Sequence, residues 1–150
     1  YAPQMAEGDG FATAGDLDAM LPGLDILSLH CPLTAATRNL IDARRLSLMK
    51  PDAVIVNTAR GGIIDEAALA QALDARTIAG AALDSFATEP PASDNPLWAQ
   101  PNLIATPHIG GVTAGSARAM AEIAARHIIS VLDGNAPDER SLARPSELAA

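Results

Sequence analysis

Ala53-Val54-Ile55-Val56-Asn57-Thr58-Ala59-Arg60-Gly61-Gly62 is the stretch on which the reading of this chain turns. Val54, Ile55 and Val56 are consecutive β-branched residues, which suit a strand covered on both faces, and such strands are usually parallel and central. After Val56 the chain turns polar, and the glycine pair permits a sharp turn that presents Arg60 in a crevice. Ligands of open α/β sheets bind at that carboxyl edge. The same residues also fit an ordinary strand end whose arginine is merely solvated.

The pattern repeats on either side. Upstream, Asp16 caps a short helix carrying Leu17, Met20 and Leu21 that Pro22 ends, and Leu24 to Leu29 form a strand running into His30-Cys31-Pro32. Thr34 opens a turn through Thr37 to Leu40, and Asp42 caps a helix with Leu46 and Met49 facing inward. Downstream, Asp65 caps a helix in which Leu69, Ala72, Leu73 and Arg76 recur at helical spacing. Ile78 to Leu83 form a strand that finishes in Asp84. A proline-rich loop from Ser85 to Pro101 carries Phe86, Glu89 and Trp98. The strand Leu103 to Ala105 then runs into Thr106-Pro107-His108-Ile109-Gly110-Gly111. Thr113 or Ser116 opens the longest helix, whose stripe of Ala117, Met120, Ala124, Ile128 and Val131 reads as core, with Gly134 ending it. Strands alternating with helices predict an α/β fold: a parallel sheet with flanking helices.

The 150 residues suffice for about one domain. Eighteen acidic against 10 basic residues give a net charge of -8, which argues against nucleic acid as a partner. Cys31 is the single cysteine and has no internal disulfide partner, and His30, His108 and His127 lack metal-ligand spacing, so no metal site is expected. No run approaches a membrane span, and the amino terminus lacks the features of a signal peptide; a cytoplasmic protein is expected. Residues 1 to 15 read as loop without a site. A chain that begins at Tyr1 is expected to come from within a longer one.

Arg60, Asp84 and His108 follow the carboxyl ends of three successive strands, with Glu89 in the intervening loop. In a parallel sheet those ends share one edge. The planar, permanently charged arginine fork is suited to a carboxylate, which suggests an anionic substrate. A carboxylate beside an imidazole favours its protonated form, a proton donor near neutral pH, and Glu89 is the candidate for that carboxylate. Taken singly, each residue also has an ordinary reading: Glu89 as a solvated loop residue, Asp84 as a turn cap, His108 as a packed or capping ring. His127, in mid-helix, reads as structural, and His30 is open between the two.

Asn57-Thr58-Ala59-Arg60-Gly61-Gly62, Leu83-Asp84-Ser85-Phe86 with Glu89-Pro90, and Thr106-Pro107-His108-Ile109-Gly110-Gly111 resemble, in order and spacing, the nicotinamide-dependent D-2-hydroxyacid dehydrogenases. His30-Cys31-Pro32-Leu33-Thr34 with Thr37 matches the family's upstream segment, and the likeness covers about Leu17 to Leu132. It implies a partial Rossmann-like dinucleotide-binding domain over residues 1–133, and a linker or arm over 134–150 returning to a substrate domain. It implies hydride transfer between NAD, with NADP not excluded, and a small 2-oxo or 2-hydroxy carboxylate of the glyoxylate, hydroxypyruvate or 3-phosphoglycerate type. Arg60 would bind the substrate carboxylate, His108 would protonate the 2-oxygen, and Glu89 would hold and tune His108. Asp84 would meet the nicotinamide carboxamide, and His30, Cys31, Pro32, Thr58, Ala59, Gly110 and Gly111, with Arg60 and His108, would line the cofactor. A homodimer is implied, with Trp98 and the proline loop as interface candidates. The family's glycine-rich turn has no counterpart: Gly8-Asp9-Gly10-Phe11-Ala12-Thr13 lacks the third glycine and follows no strand. The alternative is a truncated, non-catalytic remnant acting as a binding or dimerisation module. Formate dehydrogenases are similar in fold, but Glu89 with His108 fits hydroxy acids better.

Overall fold

The structure, a computed structural model, describes residues 14–138 and 141–142. The Gly8–Thr13 segment and most of the expected terminal arm lie outside the described residues. Four short strands, β1 (Ile26–Leu29), β2 (Val54–Asn57), β3 (Gly80–Leu83) and β4 (Leu103–Ala105), form one parallel sheet in the order β1-β2-β3-β4. The helices are α1 (Leu17–Met20), α2 (Ala43–Leu46), α3 (Glu66–Asp74) and α4 (Ala114–Leu132). The expected α/β fold is what the chain adopts. Among the described residues no helix is long and apolar enough to cross a membrane.

Each α-helix starts where a side chain accepts an otherwise orphaned backbone N–H. Asp16 accepts from Asp18, Asp42 from Arg45 and Asp65 from Ala68. For α4 Thr113 is the cap, and Ser116 completes a reciprocal capping box. Pro22 does not simply end the first helix; it sits inside a one-turn 3₁₀ segment, Leu21–Gly23, where its missing N–H costs nothing. Arg76 leaves the stripe assigned to it, because α3 stops at Asp74 and Arg76 takes φ 55, with its N–H donating to Leu73 O at 3.2 Å. The Ser85–Pro101 loop contains a further 3₁₀ turn, Pro96–Ala99, capped by Asn95.

The chain divides into two compact units, Tyr1–Pro107 and His108–Ala150. In the first, Ile55 from β2, Leu69 and Leu73 from α3, and Ile41, Leu46, Ile63, Ile78 and Leu97 are buried to within about a hundredth of their surface. Asp18 ties α1 to α2, its two carboxylate oxygens each 2.7 Å from Arg45 and Arg44. The hydrogen bond from Arg45, then that from Arg44, holds its carboxyl below the usual carboxylate range. The tie is therefore complete above pH ~4 and is lost as pH falls through the lowered value.

Burial of the sheet is one-sided, and this corrects the expectation of β2 covered on both faces. Ile55 and Asn57 are buried while Val54 and Val56 are only half-buried; on the same side as those valines, Ile26 is 67% and Ile104 69% exposed. Consecutive β-branched residues show that both faces are apolar, but apolarity does not supply a cover. The α4 stripe is corrected likewise. No residue of that helix is buried, and Met120 and Ile128 are 60% and 61% exposed.

One contact fixes the sheet's carboxyl edge. A Cβ added to Gly61 would lie 1.8 Å from Phe86 C and 2.3 Å from Ala87 N, so the loop after β3 crosses directly over the turn after β2. Gly62, at φ 77, completes the turn in a conformation other residues rarely adopt. Two outcomes follow for urea unfolding of the 150-residue chain. Ile55→Ala should cost about 2–5 kcal/mol, whereas Ile104→Ala on the open face should stay within about 0.5 kcal/mol; equal losses would contradict one-sided burial. Gly61→Ala should cost about 1–3 kcal/mol or more by forcing two backbones apart, and an unchanged midpoint would show that they are not in contact.

Candidate active site at the carboxyl edge of the sheet

The register sets the geometry. Leu29 pairs with Asn57, Asn57 with Leu83, and Leu83 with Ala105, so the four strands end in one row. The residues that follow, His30, Thr58, Asp84 and Thr106, therefore open onto the same edge. Strand-end loops provide the reach and variability, while the sheet provides the rigidity.

Asn57 shapes the turn that presents Arg60. Its side chain is 2% exposed, and both of its ends are occupied: Nδ2 donates to Arg60 O at 2.8 Å and Oδ1 accepts from Ala59 N at 3.1 Å. A buried amide satisfied in this way closes the turn with no orphaned group. Thr58 and Arg60 are exposed and Ala59 is half-buried. The Arg60 guanidinium donates one N–H to Ala59 O at 2.7 Å, which orients the fork beside its own backbone.

Asp84 is buried, and its Oδ1 accepts from Thr106 Oγ1 at 2.5 Å, joining the ends of β3 and β4. Five residues on, Glu89 is exposed on the loop, and its Oε1 accepts from Phe86 N at 3.0 Å. At the end of β1, exposed His30 places Nε2 2.8 Å from Ser28 Oγ, Cys31 is a half-buried free thiol, and Pro32 is exposed. Thr37 Oγ1 donates to Pro32 O at 2.6 Å and accepts from Thr34 N at 2.7 Å, which holds that loop.

His108 opens the second unit and is described within it. It is exposed and takes φ 54, a conformation uncommon for a residue with a Cβ and one that functional positions often show. Gly110 and Gly111 are exposed; Val112 N donates to Ile109 O at 2.9 Å, and Ser116 Oγ donates to Gly111 O at 2.8 Å, which ties this turn to the α4 cap. Among the described residues no group of three or more His, Cys, Asp and Glu side chains could hold a metal ion.

Sequence reading passed over three residues of this edge. In the sequence Asn57 stands out only as the polar end of a strand, although a short amide three residues before an arginine and a glycine pair is a turn signal. Thr106 gave no signal of its own, because its partner Asp84 lies 22 residues away. Glu66, in the first turn of α3, gave no signal either, because its partners Ala87 and Asn95 lie 21 and 29 residues away.

Residues 2–110 match the family described as D-isomer specific 2-hydroxyacid dehydrogenase, NAD binding domain. The chain is 47% identical over 122 residues to a glyoxylate reductase of Thermofilum pendens, covering 81% of this chain and 36% of that protein. Two solved structures are similar. One is the D-lactate dehydrogenase of Lactobacillus jensenii with NAD+, at 38% identity and TM-score 0.78, covering 87% of this chain and 43% of that one. The other is an NADPH-dependent glyoxylate/hydroxypyruvate reductase of Sinorhizobium meliloti in complex with NADP and malonate, at 34% identity and TM-score 0.80, covering 86% and 40%. The chain spans between 26% and 37% of the length of the curated relatives it matches. With the family's match running from residue 2 through the strand ends and turns just described, the chain belongs to the D-isomer specific 2-hydroxyacid dehydrogenases, as part of their NAD binding domain.

Proposed function

We propose that this chain forms the reacting edge of a dehydrogenase that transfers hydride between NAD or NADP and a small D-2-hydroxy or 2-oxo acid. The observation that carries the reading is the turn after β2, where Asn57 and Gly61 hold Arg60 at the edge on which Asp84 also opens. Arg60 receives the substrate carboxylate on its fork. His108 gives a proton to the 2-oxygen during reduction and takes it back during oxidation, and Glu89 is its carboxylate partner.

The donor set suits the nicotinamide end of the cofactor. Asp84, buried and already held by Thr106, is a fixed acceptor for a carboxamide N–H. His30, Cys31, Pro32, Thr58, Ala59, Gly110 and Gly111 offer backbone and small side chains for close approach, alongside Arg60 and His108. When bound, the nicotinamide ring supplies or takes up the hydride, and the protein's part is orientation and electrostatics. Residues 1–133 serve as cofactor-domain structure and 134–150 as a connecting arm. The reading includes a cytoplasmic homodimer, for which Trp98, 43% exposed on the proline loop, is the interface candidate.

The test is turnover of the full-length protein with NADH or NADPH and glyoxylate or hydroxypyruvate, followed by absorbance of the reduced cofactor. Arg60→Ala should lower kcat/KM roughly 100- to 1,000-fold, mainly through KM, and Arg60→Lys should restore only part, because charge without the fork loses the paired hydrogen bonds. His108→Ala should lower kcat by roughly 10²- to 10⁴-fold. A protein that binds neither cofactor, or an Arg60→Ala variant that reduces these acids at the original rate, would sink the assignment.

A further inference from the structure

Glu66 is the first residue of α3, yet the helix does not depend on it for a cap, because Asp65 accepts the Ala68 N–H at 3.0 Å. The Glu66 carboxylate faces the loop that carries Glu89. Its Oε1 accepts from Ala87 N at 2.6 Å, and its Oε2 accepts from Asn95 Nδ2 at 3.0 Å. One carboxylate thus grips the loop on both sides of Glu89, two residues before it and six after. Bonds from N–H groups to an ionised acceptor are among the stronger hydrogen bonds, and the positive end of α3 favours the charge where it sits.

The two gripped points are themselves fixed. Ala87 N adjoins the Phe86 carbonyl carbon that presses on Gly61, and Phe86 N donates to Glu89 Oε1 at 3.0 Å. Asn95, whose Oδ1 accepts from Leu97 N at 3.0 Å, caps the 3₁₀ turn, and Trp98 closes the same segment by donating from Nε1 to Ala92 O at 2.9 Å and packing 5.3 Å from the Phe86 ring. Without Glu66, the loop between Ala87 and Asn95 would keep its ends but lose the anchor between them.

We infer that Glu66 is a positioning residue: by gripping Ala87 N and Asn95 Nδ2 it sets the loop on which Glu89 is carried, and so governs the rate of the proposed reaction while contacting neither substrate nor cofactor. This rests on the proposed role of Glu89. Removing the grip affects kcat and leaves binding at Arg60 untouched.

The test uses the full-length protein, with steady-state kinetics and hydrogen–deuterium exchange of a peptide covering residues 85–95. Glu66→Ala should lower kcat about 100-fold with KM for glyoxylate nearly unchanged, the scale expected for a shift of about 1 Å in a reacting group's support. Exchange should quicken at Phe86 and Ala87 while β2 stays protected. Glu66→Gln, which keeps an acceptor for Ala87 N but turns an N–H toward Asn95, should recover about tenfold of the lost kcat. Should Glu66→Ala fail to fold, Glu66→Gln and Asn95→Ala, each missing one of the two bonds, carry the comparison and should both lower kcat without raising KM. Wild-type kcat in these variants, a loss that falls on KM, or exchange that quickens equally in β2 would overturn the inference. If the wild-type protein turns over no 2-oxo acid, the proposed function fails by itself. Exchange then decides the grip: unchanged protection at Phe86 and Ala87 in Glu66→Ala overturns it, and selective loss there upholds it.

Discussion

The contact between Gly61 and the Phe86–Ala87 backbone is the constraint on which the rest of the edge depends. Two loops that leave neighbouring strands could diverge, since the ladder between β2 and β3 ends with Asp84 N donating to Asn57 O at 2.9 Å. The missing side chain at Gly61 lets their backbones touch, and Asn57 then closes one loop from beneath while Glu66 holds the other from the side. Arg60 and Glu89, 29 residues apart in sequence, consequently lie on two turns that meet at one backbone contact. A side-chain truncation at the edge removes only that residue's own contacts; a Cβ at Gly61 would displace the whole arrangement.

Most of the architecture of the two units was legible because its signals are local. Strand ends, capping aspartates at 16, 42 and 65, and the Gly134 stop are each written within a few residues, and the structure uses all of them. The edge positions of Arg60 and Asp84 were legible for the same reason: a polar residue at the end of a buried run in an α/β alternation has one place to go. The contacts that hold them were not legible. Asp84 with Thr106, Glu66 with Asn95, and Gly61 with Phe86 join residues 22 to 29 apart, and no periodicity of 2 or 3.6 encodes such a pairing. The four-motif resemblance pointed at Gly61, Asp84, Phe86 and Thr106 together, but it could not say which bond holds which, and it passed over Glu66 and Asn95.

The misreadings of β2 and α4 share a cause. Hydrophobic periodicity reports that a face is apolar, and burial also requires something to lie on it. Val54, Val56, Ile26 and Ile104 make one sheet face apolar, and Met120, Ile128 and Val131 do the same for α4, yet these positions range from half-buried to largely exposed. Exposed apolar surface of this extent carries a free-energy cost of about 25 cal/mol per Å² left in contact with water. In a chain that covers between 26% and 37% of its curated relatives' length, such faces are consistent with a fold whose core is not completed by the described residues.

For the role proposed for Arg60, an arginine suits this turn better than a lysine. One guanidinium N–H is already committed, at 2.7 Å, to the carbonyl of the preceding Ala59. A lysine ammonium tied back in that way would have its single charged centre drawn to the backbone, with its two remaining donors diverging from one atom. The guanidinium is planar and carries five donors, so a bond on one side fixes the plane while the others stay available along the opposite edge. In the proposed role a planar carboxylate would take two parallel donors, and the tie to Ala59 limits how the plane that carries them can turn. Part of the rotamer freedom that a long side chain would lose on such binding is thereby lost already during folding.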